Sequence, residues 1–90
     1  MNASGAAAGR DARPHRIAVA GASGRMGQML IEAIAGSEDC QLAGALDMAA
    51  NPAIGHDAMA FAGRRSGIVI ESDLHSGLKD AGVLIDFTRP

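Results

Sequence analysis

Three glycines, Gly21, Gly24 and Gly27, stand where an apolar segment passes into a segment with helical periodicity. Between a strand and a helix, glycines at this spacing let the backbone turn tightly, let a phosphate approach the amides and let the helix pack close to the strand. The free amides of the first helical turn then point at the anion, with the positive end of the helix dipole behind them. The spacing predicts a loop that binds the pyrophosphate of a dinucleotide.

An acidic residue, Asp47, follows Gly27 at the distance that a dinucleotide site requires, directly after a second apolar segment. A carboxylate at the tip of the second strand accepts hydrogen bonds from the hydroxyls of the adenosine ribose. An isolated aspartate at a strand end more often starts a turn, but its pairing with the glycine loop favours ribose binding. Its charge repels a 2′-phosphate and Met48 adds no positive charge, so NAD(H) is favoured over NADP(H).

The other reactive side chains give weaker signals. Arg25 lies inside the glycine loop, where reaching the cofactor and remaining solvated are equally good interpretations. His56 and Asp57 are adjacent, and adjacent side chains seldom point the same way, so a surface role in a loop is favoured. Cys40 is interpreted as a packing or surface residue. Three scattered histidines and one cysteine provide no metal-ligand spacing, and no serine or cysteine nucleophile signature is present.

The elements that position the glycine loop and Asp47 form a predicted β-α-β unit. The segment 17–20 is short and continuously apolar, as in a strand covered on both faces, and 41–46 forms the second strand. Gly36 marks the end of the intervening helix. The predicted buried face of that helix consists of five apolar residues: Met26, Met29, Leu30, Ala33 and Ile34.

The second half of the chain predicts two more strands. Residues 48–67 read as a long connection with one short helical turn near 57–62. A third strand at 68–70 precedes a short helix, which Ser72 or Asp73 caps and which runs through Lys79. A fourth strand follows at 83–87. The fold class is α/β, an incomplete Rossmann-type parallel sheet of four strands with helices on both faces.

Composition excludes several classes of protein. The chain has 90 residues, a net charge of −2 and scattered basic residues, which indicates one small domain and no nucleic-acid footprint. No apolar run approaches the roughly 18 residues of a membrane span. A single cysteine excludes an internal disulfide and agrees with a reducing cytoplasmic compartment. Residues 1–15 have no apolar centre and are interpreted as a disordered tail rather than a signal peptide.

Two segments carry a resemblance to a known family. Gly24-Arg-Met-Gly27 in the loop and Asp86-Phe-Thr-Arg-Pro90 after the fourth strand, together with the acid at position 47, resemble bacterial dihydrodipicolinate reductases. The resemblance covers residues 16–90. It implies a cytoplasmic homotetramer of lysine and diaminopimelate biosynthesis, which passes a hydride from NADH or NADPH to a cyclic unsaturated dicarboxylate.

The resemblance also implies roles for individual residues. Asp47 would hold the adenosine ribose, and Phe87, Thr88 and Arg89 would lie along the cofactor beyond the sheet. The family commonly has an arginine directly after the acid, where this chain has Met48. The residues that would hold the pyrophosphate are those of the glycine loop: Gly21, Ala22, Ser23, Gly24, Arg25 and Met26.

The catalytic residues of the family have no counterpart in the 90 residues. These are a Gly-Thr-Thr-Gly turn, adjacent histidines, a lysine and the whole substrate-binding domain. We therefore expect an N-terminal fragment in which residues 16–90 bind the cofactor, and which is inactive by itself. A stand-alone NAD(H)-sensing Rossmann module would also lack catalytic residues, but it leaves 86–90 unexplained. Another oxidoreductase, such as a semialdehyde or short-chain dehydrogenase, predicts neither motif.

Overall fold

A parallel sheet forms the centre of the protein in a computed structural model, which describes residues 14–88. The strands lie in the order β3-β2-β1-β4, as in one half of a Rossmann fold, so the predicted α/β class is confirmed. In chain order the elements are β1 (His15–Ala20), α1 (Arg25–Ala35), β2 (Cys40–Leu46), a 3₁₀ turn (Ala60–Ala62), β3 (Ile70–Glu71), α2 (Leu74–Leu78) and β4 (Val83–Asp86).

The strand register brings the ends of the central strands to one edge of the sheet. Ala20, the last residue of β1, pairs with Leu46 of β2 on one side and with Asp86 of β4 on the other. Glu71 of β3 pairs with Leu46 in turn. Because all four strands are parallel, the segments that follow them leave the sheet at this carboxyl edge. The predicted site residues after β1, β2 and β4 are thereby placed together.

The two helices cover opposite faces of the sheet, as predicted. Gly44 and Ala45 are neighbours in β2, so they point to opposite faces. A Cβ at Gly44 would collide with the carbonyl oxygen of Gly77 in α2. Ala45 belongs instead to the main core, which lies under α1 and consists of Ile17, Val19, Ala22, Ile31, Ile34, Ala45, Ala58, Met59 and Ile70.

The predicted buried face of α1 was wrong. The buried residues are Gly27, Ile31 and Ile34, whereas Met26 is 54% exposed and Met29 is 59% exposed. The helix approaches the glycine turn through Gly27, whose Cβ would collide with the carbonyl oxygen of Gly21. Ile31 and Ile34, four and seven positions after Gly27, lie on the same side of the helix and are therefore buried in the core. Of the predicted stripe, Ile34 is buried, Leu30 is half-buried and Ala33 is exposed.

Several predicted boundaries also shift. The third strand is Ile70–Glu71 rather than 68–70, because Val69 pairs with Asp57 in an isolated antiparallel bridge. His15 is the first residue of β1 rather than the end of a tail, and residues 1–13 of that predicted tail lie outside the described residues. The cap of α2 is Asp73, whose carboxylate accepts a hydrogen bond from the amide of Ser76 at 3.2 Å.

The long connection between β2 and β3 is organised by one side chain. The Asp57 carboxylate accepts hydrogen bonds at 2.8 Å from the amides of Met59, Ser66 and Gly67. These bonds join the two halves of the loop across the 3₁₀ turn. They outweigh the effect of partial burial, which raises the pKa of Asp57, and they hold that pKa below its ordinary value.

Candidate dinucleotide-binding site

The glycine turn is held against the ends of two strands. The amides of Gly21 and Ala22 both donate to the carbonyl oxygen of Leu46, at 2.9 and 3.0 Å. Gly21 has a φ of +81°, which L side chains rarely adopt. A Cβ there would also lie 3.1 Å from the carbonyl carbon of Phe87 and 3.2 Å from the amide nitrogen of Thr88. The turn therefore lies directly beside the segment that follows β4.

The three glycines differ in what surrounds them. Gly21 provides the tight turn, and Gly27 provides the close packing of helix on turn described above. Gly24 has extended backbone, and a Cβ at that position would meet only the carbonyl oxygen of Gly21, at 3.4 Å. Protein packing therefore leaves room for a side chain at position 24. A glycine there leaves the same space open for a phosphate, the role of the second glycine in dinucleotide loops.

The first turn of α1 offers free amides beside Gly24. Gly24 donates to the carbonyl oxygen of Gly21 at 3.0 Å, and Gln28 donates to that of Gly24 at 2.9 Å. Among residues 14–88, the intervening amides of Arg25, Met26 and Gly27 have no hydrogen-bond acceptor, and no side chain caps the helix. With the positive end of the helix dipole behind them, these amides fit an anion.

Asp47 lies against the glycine turn. Its Oδ2 accepts from the amide of Ser23 at 3.0 Å and from the Ser23 hydroxyl at 2.5 Å, and its Oδ1 accepts from the amide of Met48 at 2.9 Å. Burial raises the pKa of Asp47, but these hydrogen bonds outweigh it and hold the pKa below its ordinary value. The carboxylate is therefore ionised at neutral pH, a state in which both of its oxygens can only accept hydrogen bonds.

A cleft of about 220 Å³ opens at the carboxyl edge of the sheet. In open α/β sheets, ligands bind at this edge, at the point where the strand order reverses. The turn after β4 borders the cleft and is fixed by Asp86, whose Oδ1 accepts from the amide of Thr88 at 2.8 Å and from its hydroxyl at 2.5 Å. The residues that line the cleft are Ala20, Leu46, Asp47, Met48, Ser72, Leu74, Asp86 and Thr88.

The structure brings most of the predicted site residues together. Ala22 is buried under the turn, and Arg25 and Met26 are exposed on the first turn of α1. Phe87 is partly exposed beside Gly21. Arg89 lies outside the described residues. Ser72, Leu74 and Asp86 were not predicted as cleft residues, and Asn51 was predicted only as part of the long connection at 48–67.

The remaining reactive groups lie apart from this cleft. The Asp57 carboxylate is occupied by loop amides, and no hydrogen bond joins it to the exposed His56. Cys40 lines a larger cavity of about 330 Å³, which includes Arg64 and Arg65 but no residue of the glycine turn. Among residues 14–88, no group of three His, Cys, Asp or Glu side chains is arranged to hold a metal ion. No helix in this range is long and apolar enough to cross a membrane.

Comparison with known proteins identifies the family. A family model described as "Dihydrodipicolinate reductase, N-terminus" matches residues 15–90. The chain belongs to this family. The match includes the glycine turn, Asp47 and the segment after β4, so all three parts of the site lie within the family's shared region.

Curated relatives carry the name 4-hydroxy-tetrahydrodipicolinate reductase. The protein from Herminiimonas arsenicoxydans is 67% identical over 75 residues, which are 83% of this chain and 28% of the relative. The protein from Janthinobacterium sp. (strain Marseille) is 61% identical with the same coverage. That from Cupriavidus taiwanensis is 57% identical over 74 residues, or 82% of this chain and 28% of the relative. The chain thus spans little more than a quarter of the length of these relatives.

Proposed function

We propose that residues 16–90 form the cofactor-binding part of a 4-hydroxy-tetrahydrodipicolinate reductase. Such an enzyme reduces a dihydrodipicolinate-type intermediate to tetrahydrodipicolinate in lysine and diaminopimelate biosynthesis. The observation that carries the proposal is the contact of Ser23 with Asp47, which joins the phosphate-binding turn to the acid for the ribose. Bound NAD(H) or NADP(H) supplies the hydride, whereas the protein supplies binding and orientation.

The pyrophosphate is bound by the start of α1. The free amides of Arg25, Met26 and Gly27 donate to its oxygens, and the missing side chain at Gly24 allows them to approach. The exposed Arg25 guanidinium adds a positive charge beside the same turn. Ala22 and Gly21 support the turn from below through their hydrogen bonds to β2.

The adenosine ribose is bound by Asp47, and NADH is the preferred cofactor. The ionised carboxylate accepts a ribose hydroxyl proton but repels a 2′-phosphate. Met48, which follows it, is 73% exposed and carries no charge to offset that repulsion. On the other side of the turn, Phe87 and Thr88 lie against Gly21, a position that supports their role along the cofactor, with Arg89 following them.

The dicarboxylate-binding and catalytic residues are proposed to lie in the part of a reductase that this chain does not match. The complete enzyme is proposed to be a cytoplasmic homotetramer, as the family resemblance implies. Light scattering coupled to size-exclusion chromatography of a complete reductase carrying this sequence tests the tetramer. A mass of one or two subunits would contradict it.

Cofactor binding is tested first. We expect NADH fluorescence to increase on titration with the protein, and Asp47→Asn to raise the Kd for NADH by about tenfold, because a charge-assisted hydrogen bond is lost. Asp80→Asn is the matched control, since Asp80 is exposed and borders a cavity with Arg16 and Lys79 rather than the cleft. Equal effects of the two substitutions would contradict ribose binding by Asp47.

Activity is tested in a joined enzyme. This is the present chain followed by the part of the Herminiimonas arsenicoxydans relative that lies beyond its matched segment. We expect substrate-dependent loss of NADH absorbance by the joined enzyme and none by the 90-residue chain. NADH binding without reduction by the joined enzyme would support the NAD(H)-sensing module instead.

A further inference from the structure

A directed chain of hydrogen bonds leads into the Asp47 carboxylate. The amide of Ala53 donates to Oδ1 of Asn51 at 2.8 Å, and Nδ2 of Asn51 donates to Oγ of Ser23 at 2.8 Å. The Ser23 hydroxyl in turn donates to Oδ2 of Asp47 at 2.5 Å. Three side chains from the glycine turn, the end of β2 and the following loop are thus linked in series.

The direction of this chain is fixed at both ends. A backbone amide can only donate, so the Asn51 atom that faces Ala53 must be its oxygen, and the atom that faces Ser23 must be the NH₂ group. Oγ of Ser23 accepts that bond, which leaves its single hydrogen for Asp47. The ionised carboxylate can only accept, so no alternative set of proton positions satisfies all three bonds.

The chain also determines which oxygen of Asp47 remains available. A carboxylate has about four acceptor positions, two on each oxygen. Oδ2 receives both of its bonds from Ser23, one from the amide and one from the hydroxyl. Oδ1 receives one bond, from the amide of Met48, and keeps one position open.

We propose that Ser23 and Asn51 are positioning residues, which orient Asp47 so that Oδ1 alone meets one hydroxyl of the adenosine ribose. This inference rests on the proposed binding of NAD(H) and adds to it a function for two side chains. The glycine pattern requires no particular side chain at position 23. The Ser23 hydroxyl acts through Asp47, because its single hydrogen is donated to that carboxylate and none is left to donate to the cofactor.

The test compares NADH with its analogue that lacks both hydroxyls of the adenosine ribose, in the joined enzyme. We expect Ser23→Ala to raise the Kd and KM for NADH by about tenfold and to leave the Kd of the dideoxy analogue unchanged. The change falls on KM rather than on kcat at saturating NADH. Ser23→Thr retains a hydroxyl and is expected to restore most of the lost affinity.

Asn51→Asp separates positioning from folding. The new carboxylate still accepts from the Ala53 amide, so the loop keeps its turn. It cannot donate to Ser23, so the hydrogen-bond chain no longer fixes the direction in which the Ser23 hydroxyl donates. We expect the same selective loss of affinity for NADH. Ser37→Ala removes another partly exposed hydroxyl, one that accepts from the Asp39 amide at 3.1 Å, and is expected to change neither affinity.

The outcomes separate the two proposals. If the unsubstituted joined enzyme does not bind NADH, the proposed function fails. If it binds NADH but Ser23→Ala and Asn51→Asp weaken NADH and the dideoxy analogue equally, the two residues only support the fold and the inference is overturned. If Ser23→Ala does not fold, the Asn51→Asp comparison alone decides between these results.

Discussion

Gly44 of β2 and Gly77 of α2 approach each other so closely that position 44 has no room for a Cβ. At position 44 the added atom would collide with the Gly77 carbonyl oxygen, and at position 77 it would collide with the side chain of Leu46. This backbone contact seats α2, a helix of only five residues, on its face of the sheet. A helix this short depends on such packing rather than on its own propensity.

Gly44→Ala is predicted to destabilise the protein by roughly 1–3 kcal/mol or more, because the obstructing atom belongs to the backbone and cannot rotate away. Gly36→Ala is the matched control, since a Cβ there would meet nothing closer than 3.8 Å and the backbone is right-handed. Urea unfolding of the joined enzyme, followed by circular dichroism, measures both. Equal unfolding midpoints for the two variants would contradict the close contact.

Gly24→Ala is predicted to weaken NADH binding by about tenfold or more without lowering the unfolding midpoint, since its Cβ fills the space left for the phosphate. Gly27→Ala is predicted to lower the unfolding midpoint rather than to act first on NADH binding, because its Cβ would collide with the carbonyl oxygen of Gly21. Fluorescence titration and thermal unfolding of both variants distinguish the two losses. An unchanged Kd in Gly24→Ala would indicate that no phosphate approaches that turn.

Acid is predicted to destabilise the protein below about pH 5. Hydrogen bonds hold the pKa values of Asp47, Asp57, Asp73 and Asp86 below their ordinary range. A folded-state pKa below the unfolded value of about 3.9 contributes stability above that pH, and the contribution is lost as the pH falls through the folded-state pKa. Urea unfolding midpoints across an acid series should therefore be constant above about pH 5 and fall below it.

Asp57→Asn is expected to reduce that acid dependence and to lower stability at neutral pH. The amides of Ser66 and Gly67 donate to different oxygens of Asp57, and asparagine keeps only one oxygen, so one of these amides loses its acceptor. Asp80→Asn serves again as the exposed control. An unfolding midpoint in Asp57→Asn that still falls with acid as steeply as in the unsubstituted protein would show that other groups govern the transition.

Met48→Arg is predicted to improve the use of NADPH. In the joined enzyme, kcat/KM is expected to be higher with NADH than with NADPH. Position 48 is exposed, so the arginine should lower the ratio of kcat/KM with NADH to kcat/KM with NADPH by about tenfold through attraction to the 2′-phosphate. Met48→Leu controls for the change of side chain. Equal kcat/KM values in the unsubstituted enzyme would show that another cation, with Arg25 of the glycine loop as the candidate, already binds the 2′-phosphate.

The 90-residue chain alone is predicted to associate. Val83 and Leu84 of β4 are 46% and 41% exposed, and β4 is an edge strand of the sheet. An exposed apolar edge strand pairs readily with other chains, and so small a domain has little stability to spare. Light scattering should show an average mass that rises with protein concentration. Leu84→Lys should reduce that rise. A monomer with a sharp cooperative melt would contradict this expectation.

Most of the site was predictable from the sequence because its parts are local. Gly21 to Gly27 form a contiguous turn, and Asp47 and Phe87 each follow an apolar strand. Once the strands are parallel, their carboxyl ends must meet at one edge. The contact of Asn51 with Ser23 could not be predicted, because the two residues are 28 positions apart in the sequence and meet only where the loop after β2 folds back against the glycine turn.

The face of α1 could not be predicted because its apolar residues surround the helix. Met26, Met29, Leu30, Ile31 and Ile34 support two overlapping stripes, and periodicity alone favours the one richer in large side chains. Gly27 sets the orientation of α1, because its lack of a side chain lets the helix pack closely on the glycine turn. A hydrophobic pattern gives glycine no weight and therefore does not reveal this contact. The predicted bounds of the third strand were wrong for a similar reason, since its position follows from pairing with the distant loop around residue 57.

The separate requirements of the three glycines give a way to recognise relatives that have lost the cofactor. Selection for a folded domain preserves positions 21 and 27, because a left-handed φ and a blocked Cβ constrain them whether or not a ligand binds. Under the proposed phosphate binding, only selection for binding preserves position 24. A descendant that keeps glycine at positions 21 and 27 but carries alanine or serine at position 24 would have retained the fold and lost nucleotide binding.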